Sequence, residues 1–412
     1  MENATNVAAP SVSRDIPRPV FPTVNRVASV DVYRGFVMLL MMAEVLSLSQ
    51  VSASMPESGF WQFLSFHQSH VPWTWLALHD MIQPSFTFLV GVVLPYSIAS
   101  RKSKGASFNS LMLHTIKRSL ILIFLGIFLR SMDATQTYFT FEDTLSQIGL
   151  GYTFLVLLGF CSQRTQIITV VVILAGYWLA FAMYPLPDSS FDYATAGVTA
   201  NWEHNLQGFA AHWNKNTNLA WAFDKWFLNL FPRKSPFTNN EGGYSTLSFI
   251  STLGTMILGL LAGNTLHAAK PQKEKLKFFV ITGLCLVGAG ILLHVTGINP
   301  IVKRIWTPAW TIFSGGICFL FLAFFYGVVD IAGKRKWSYF LMVIGANSIA
   351  AYVFADGGLR SLLHKSLYIH FGQNFDQLLG EPYAPLISGA ITLLLLWLIL
   401  NWMYRKKIFI KI

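Results

Sequence analysis

Stretches of about twenty mostly apolar residues recur along this chain, and nothing else in it restricts the fold as strongly. A bilayer's hydrocarbon core is about 30 Å thick and an α-helix rises about 1.5 Å per residue, so roughly 20 apolar residues make one crossing. Such runs occupy 35–52, 76–99, 111–130, 144–162, 166–184, 245–266, 276–296, 306–329, 338–357 and 385–404. They predict an all-α, polytopic transmembrane helical bundle of about ten spans, or about eleven if 359–371 also enters the bilayer. Of the 412 residues 53% are hydrophobic and only 12% charged, too few to give a soluble globule its polar surface.

The net charge of +11 does not point to nucleic acid, because the Lys and Arg residues lie between the runs. Their placement reports orientation instead. Arg14, Arg18, Arg26 and Arg34 flank the first run; Arg101, Lys102, Lys104, Lys117 and Arg118 follow the second, and Arg164 follows the fourth. With ten spans, Lys270 to Lys277, Lys334 to Lys336 and Arg405 to Lys407 fall on that same side, which puts both termini in the cytosol. Lys303 and Arg304 are the exceptions, so they are candidates for a local role. Residues 1–25 are polar, contain proline and lack an apolar signal core, and are expected to be a flexible cytosolic tail. Residues 26–412 then form one transmembrane domain with a long outward loop at 185–243. Within that loop 218–231 suits an interfacial helix or a lid, and 359–371 suits a short re-entrant or surface helix. Cys161, Cys285 and Cys318 have neither paired nor metal-ligand spacing and support no disulfide and no metal.

An ionisable group within or beside a span needs a partner or a function. Asp31 and Arg34 are spaced to pair on one helix face. The segment after the first run is richer, with His67, His70, Trp73, Trp75, His79 and Asp80 followed by Gln83 and Pro84. The histidines do not repeat at a four-residue helical step and no Cys is near, which disfavours a metal site. Imidazole titrates near neutrality and a carboxylate can fix its tautomer, so acid–base or nucleophilic work fits better; plain polar loop surface is the alternative. Gln147, Asn264, His294, Asn347 and Asp356 lie inside runs, where bonding across helices is their commoner use. The steps Gly259 to Gly263, and Gly283 through Gly288 to Gly290, suit close helix packing.

Five motifs occur in a recognisable order. Ser29-Val-Asp-Val-Tyr-Arg-Gly35 is similar to S-[VL]-D-x-[FY]-R-G. His70-x-x-Trp73, with Asp80, Pro84, Phe86 and Gly91 after it, is similar to H-x-x-W-x(6)-D-L-[IV]-F-P-x-F. Glu241-Gly-Gly-Tyr-Ser-Thr-Leu247, running on to Gly259-Leu-Leu-Ala-Gly263, is similar to E-G-L-L-[SG]-T-[LI]. Asn299-Pro through Ile305-Trp306-Thr-Pro is similar to P-[IV]-x-K-x-[LI]-W-T, and Gly345-Ala-Asn347-Ser to G-x-N-[SP]. Taken in register over residues 28–357, they resemble the heparan-α-glucosaminide N-acetyltransferase family with its bacterial relatives. The chain departs from that pattern at Glu44, where Asn is frequent, and at Gln83, where an aromatic is usual.

The resemblance implies a membrane acyltransferase domain, in a bacterial cytoplasmic membrane, that moves an acetyl group from cytosolic acetyl-CoA to the amine of an amino sugar or glycan acceptor outside. It implies His70 as the catalytic residue, oriented by Asp80 or His79, and no metal. Asp31, Arg34, Trp73, Gln147, Trp306 and Asn347 are the expected acceptor-binding positions. Arg101, Lys104, Lys117 and Arg118 are the expected contacts of the CoA phosphates, although loop topology alone also accounts for them. The lipid bilayer is the obligatory partner, and a homodimer is compatible with the chain. O-acylation of a cell-surface glycan and transport of a sugar or lipid precursor remain the alternatives.

Overall fold

The computed structural model describes residues 27–410, so the expected tail at 1–25 lies outside the described residues. The described backbone is helical and contains no strand. In chain order its helices are α1 (Ala28–Met42), α2 (Leu48–Ser54), α3 (Gly59–Gln68), α4 (Ile82–Lys102), α5 (Phe108–Ser131), α6 (Thr144–Leu158), α7 (Gln163–Ala182), α8 (Leu219–Phe227), α9 (Ser248–His267), α10 (Gln272–Val295), α11 (Pro308–Phe325), α12 (Tyr339–Ala346), α13 (Ser348–Asp356), α14 (Leu359–Phe371) and α15 (Ala384–Arg405).

The apolar runs fall largely on helix. Among the described residues seven helices are long and apolar enough to cross a membrane, nine if two bent pairs count as one span each, against the expected ten. One pair joins α1 to α2 at 42° and the other joins α12 to α13 at 71°. The run at 144–162 gives the shorter apolar helix α6, 15 residues and about 22 Å long, less than the hydrocarbon thickness. The apolar residues after it form a tight turn that ends at Ser162, whose hydroxyl accepts from the Thr165 N–H at 3.2 Å and caps α7. The segment 359–371 is helical as α14, which at 13 residues is too short to span, and only Leu367 in it is buried.

The centre of the bundle is made by α1, α4, α9 and α11, whose inward positions carry Val37, Met38, Phe88, Met256, Trp310 and Phe319. Inside lipid no hydrophobic force drives helices together, so close contact depends on small residues. α4 and α9 touch backbone to backbone. A Cβ on Gly259 would sit 1.9 Å from the Phe88 carbonyl oxygen, and one on Gly91 would sit 2.0 Å from that of Met256. The sequence step at Gly259 and Gly263 therefore does pack a helix. The second step divides: Gly283 and Gly290 lie against α11, whereas Gly288 faces open space. Asn264 bonds across helices as expected, donating from Nδ2 to Gln166 Oε1 at 2.9 Å.

These contacts give paired outcomes. Gly259→Ala is expected to lower the thermal midpoint in detergent, by an overpacking cost of about 1–3 kcal/mol. Gly288→Ala is expected to leave it unchanged or raise it, since helix propensity gains up to about 1 kcal/mol. Equal midpoints for the two variants would contradict the α4–α9 contact.

Candidate functional site

The site is built around a break in the first span. Helix α1 continues as a tighter turn to Leu46, and Ser47 then takes a left-handed conformation, φ 49°, before α2 begins. A broken helix in a membrane leaves backbone groups that need partners. Gln68, the last residue of α3, supplies two: its Oε1 accepts from the Leu48 N–H at 2.9 Å, and its Nε2 donates to the Ala43 carbonyl at 2.6 Å. Gly389 of α15 lets that helix rest on the bend, where a Cβ would meet the Val45 carbonyl oxygen at 2.2 Å. The bend turns Glu44, Ser47 and Ser49 toward the loop that carries His70.

That loop, 69–77, is joined to the loop before α11 by an antiparallel bridge between Thr74 and Val302 and by the Trp75 N–H donating to the Ile301 carbonyl at 3.1 Å. Arg304 strengthens the junction with bonds to the Gly242 carbonyl (2.9 Å) and the Val71 carbonyl (3.1 Å). Lys303 is thereby delivered to Asp80. The Asp80 carboxylate is 1% exposed, and both its oxygens are engaged. Oδ1 accepts from His70 Nδ1 at 2.8 Å and Lys303 Nζ at 3.2 Å, while Oδ2 accepts from the backbone N–H groups of Ala77 (3.0 Å) and Val71 (3.3 Å). Removing one partner of a buried ion pair costs about 3–5 kcal/mol, so this carboxylate holds the loop as well as the imidazole.

An ionised carboxylate only accepts hydrogen bonds. His70 Nδ1 also lies 3.1 Å from Lys303 Nζ, but a nitrogen 2.8 Å from an ionised carboxylate is best satisfied as a donor, which puts the proton of neutral His70 on Nδ1 and makes Nε2 the basic nitrogen. His70 is 38% exposed and borders an open pocket of about 350 Å³ lined by Glu44, Ser47, Ser49, Gln68, Ser69 and His79. All the lining side chains are polar. His79 stands beside His70, ring centroids 4.7 Å apart, but its Nε2 meets Glu44 Oε1 at 2.9 Å. The other Glu44 oxygen meets Arg360 of α14 at 3.5 Å. Of the two groups expected to orient His70, Asp80 bonds to it and His79 holds Glu44.

The remaining expected positions lie elsewhere. Asp31 and Arg34 pair with each other at 3.3 Å near the start of α1, at the opposite end of the bundle from His70. Trp73 is buried under the 185–243 loop and donates to the Trp213 carbonyl at 3.1 Å. Trp306 is buried with its indole on Thr255 (3.1 Å). Gln147 ties the start of α6 to the Phe141 carbonyl at 2.7 Å and to those of Ser245 and Thr246. Asn347, at the α12–α13 break, holds residues Ile408 and Ile410. Arg101, Lys104, Lys117 and Arg118 sit at the far end of α4 and the near part of α5. There Arg101 contacts His114 at 2.7 Å and Arg118 bonds to the Tyr152 hydroxyl at 2.9 Å. The 21 residues of α4 separate them from Asp80 by about 30 Å. Within the long loop, α8 buries Trp221 and Asp224 and leaves Trp226 exposed. Among the described residues no three His, Cys, Asp or Glu side chains group as metal ligands.

Glu44, Gln68, Lys303 and Arg360 were not in the expected set. Lys303 carried a signal as a cation on the wrong side of the charge pattern, and Glu44 as a departure from the motif. Gln68 carried none, because its partners are backbone groups freed by a bend that hydropathy does not reveal.

Burial disfavours the charged form of His70 and holds its pKa below the usual imidazole value of 6.5; the bond to Asp80 opposes this and the Lys303 charge adds to it. The neutral base thus persists to pH values under 6.5 and is lost only as pH falls through the lowered pKa. Lys303→Met removes a neighbouring cation and is expected to raise the His70 pKa, read by NMR titration of labelled histidine in detergent. A fall, or no change, would contradict the Lys303 placement.

No protein-family model matches the chain. Among curated proteins it is 22% identical over 428 residues to the Homo sapiens heparan-alpha-glucosaminide N-acetyltransferase, covering 94% of this chain and 60% of that protein. The Mus musculus protein of the same name is 22% identical over 427 residues, covering 94% and 61%. The chain thus spans about 60% of the length of the curated relatives it matches. With several long apolar helices and this alignment, the chain is an integral membrane protein and a distant relative of the heparan-α-glucosaminide N-acetyltransferases.

Proposed function

We propose that the protein is a transmembrane acetyltransferase that moves an acetyl group from acetyl-CoA to the amine of an amino sugar, with His70 as the base. The observation that carries this reading is the His70 imidazole, proton placed on Nδ1 by Asp80 and Nε2 the basic nitrogen, beside a pocket of carboxylate, hydroxyl and amide groups. Such a lining suits a polyhydroxylated molecule. Glu44 offers the one carboxylate in the pocket lining to an acceptor ammonium.

In the proposed reaction the acceptor ammonium loses one proton to water, and the freed amine attacks the thioester carbonyl while its second proton passes to His70 Nε2. A C–N bond forms, the C–S bond breaks, and the departing CoA thiolate recovers the proton. Asp80 keeps the imidazole oriented and balances its positive charge while it holds that proton. The His70 end of the bundle faces the outside, following the loop charges, and the basic ends of α4 and α5 meet the donor's phosphates in the cytosol. The membrane is a bacterial cytoplasmic membrane. Phosphate charges do not enter hydrocarbon, so only the thioester arm reaches across. Tyr33, Met38, Phe88 and Phe319 fill the core between the two ends, so the arm's passage requires α1, α4 and α11 to part. A polar line already penetrates that core from the His70 end: Ser85 of α4 accepts from the Tyr33 hydroxyl at 2.9 Å and lies 3.7 Å from Cys318 Sγ.

His70→Ala is expected to lower acetyl-CoA consumption with glucosamine by about 10²–10⁴-fold, the usual contribution of a general base, with unchanged elution in detergent. Undiminished turnover would sink the assignment. A neutral sugar in place of glucosamine separates N-acetylation from O-acylation, since only the latter accepts it.

A further inference from the structure

Helix α3, whose last residue Gln68 lines the pocket, has no fully buried residue; Trp61, Leu64 and Gln68 lie on its half-buried face. His67 Nδ1 accepts from the Leu78 N–H at 3.2 Å, and Gln68 satisfies the broken span. Outward, at three-residue intervals, stand Phe60, Phe63 and Phe66, 64%, 59% and 51% exposed. His67 packs against the rings of Phe63 and Phe66, centroids 4.5 and 5.1 Å away, and the outer surfaces of the three phenylalanines form an exposed apolar face of the kind that rests against hydrocarbon. At 10 residues the helix is too short to cross, so it lies in the interface. Trp61 packs edge-on against Tyr383 at 5.9 Å, immediately before α15. Trp61 thereby sets α3 beside a helix long and apolar enough to span, which exposes Leu394 and Leu398.

The far flank of the pocket behaves alike. Helix α14 reaches the site through Arg360 on Glu44 and exposes Leu362 and Ile369. It carries Arg360 and Lys365 and no acidic residue, the character of a helix resting on anionic headgroups. Gln68 of α3 thus lines the polar pocket, Arg360 of α14 contacts its Glu44, and Phe66 is only four residues from His70.

We propose that the acceptor is a lipid-linked amino sugar joined to its lipid through phosphate. The sugar occupies the pocket at His70 and Glu44, the phosphate lies toward Arg360, which contacts Glu44 at 3.5 Å, and the hydrocarbon chain runs along Phe60, Phe63 and Phe66. The inference rests on the acetyl-transfer reading above and adds the class of acceptor.

The test uses full-length protein in vesicles with two acceptors, glucosaminyl phosphate esterified to a long polyprenyl chain and the same headgroup as a methyl ester. Wild-type protein is expected to favour the long-chain acceptor in kcat/KM by at least about tenfold, the effect of holding the headgroup at the pocket mouth through a second contact. The combined Phe60→Ser, Phe63→Ser, Phe66→Ser variant is expected to bring that ratio close to one. A ratio near one in wild type, or a ratio unchanged in the variant, overturns the inference while leaving acetyl transfer intact. Acetylation of neither ester, with free glucosamine still acetylated, also overturns it. Failure of all three acceptors overturns the acetyl-transfer reading on which it stands.

Discussion

A buried carboxylate is the constraint on which the rest of this site depends. Asp80 lies one turn before the membrane-embedded part of α4, almost without solvent, where a lone negative charge is not tolerated. Its demand for donors draws four groups together: two backbone N–H groups that shape loop 71–77, the Lys303 ammonium, and the His70 imidazole. The Thr74–Val302 bridge and the Arg304 contacts then become necessary, because Lys303 arrives only if its loop is fastened to the first. One charge thus sets the histidine's tautomer and rotamer and the docking of two loops distant in sequence.

Much of this was legible in the sequence because membrane physics acts on short windows. Apolar runs mark most of the helices, and the glycine step from 259 to 263 suited close packing inside lipid. The cluster from His67 to Asp80 was conspicuous because ionisable groups beside a span are costly. Legibility failed where the cause was non-local. Apolar content did not show that α6 ends at Leu158 and gives way to a turn. Trp73, Trp306 and Asn347 are motif positions, and each turned out to be buried and bonded within the framework that supports the loops. Gln68 was invisible because its partners are backbone groups freed at the bend around Ser47, which hydropathy does not mark. Lys303 was half legible, since the charge pattern singled it out but supplied no partner.

The site and the basic residues define the two ends of one object. About 30 Å of α4 separates Asp80 from Arg101, so no single compact ligand touches both. Were they to serve one reaction, its reactants would have to approach from opposite faces and meet inside the protein. The broken first span bears on that geometry, because the bend at Ser47 carries Glu44 and the serines into the pocket while α1 beyond it contributes Tyr33 to the filled core. A helix that both lines the His70 pocket and fills the core is placed, in the proposed reaction, to couple one end to the other.

Transfer across the membrane is the central claim, and sidedness tests it most directly. Protein would be reconstituted in one orientation into sealed vesicles with the His70 end inward, glucosamine trapped in the lumen and labelled acetyl-CoA supplied outside. The account predicts labelled N-acetylglucosamine in the lumen, with CoA released outside. Acetylation only when both reactants share the His70 side would contradict it.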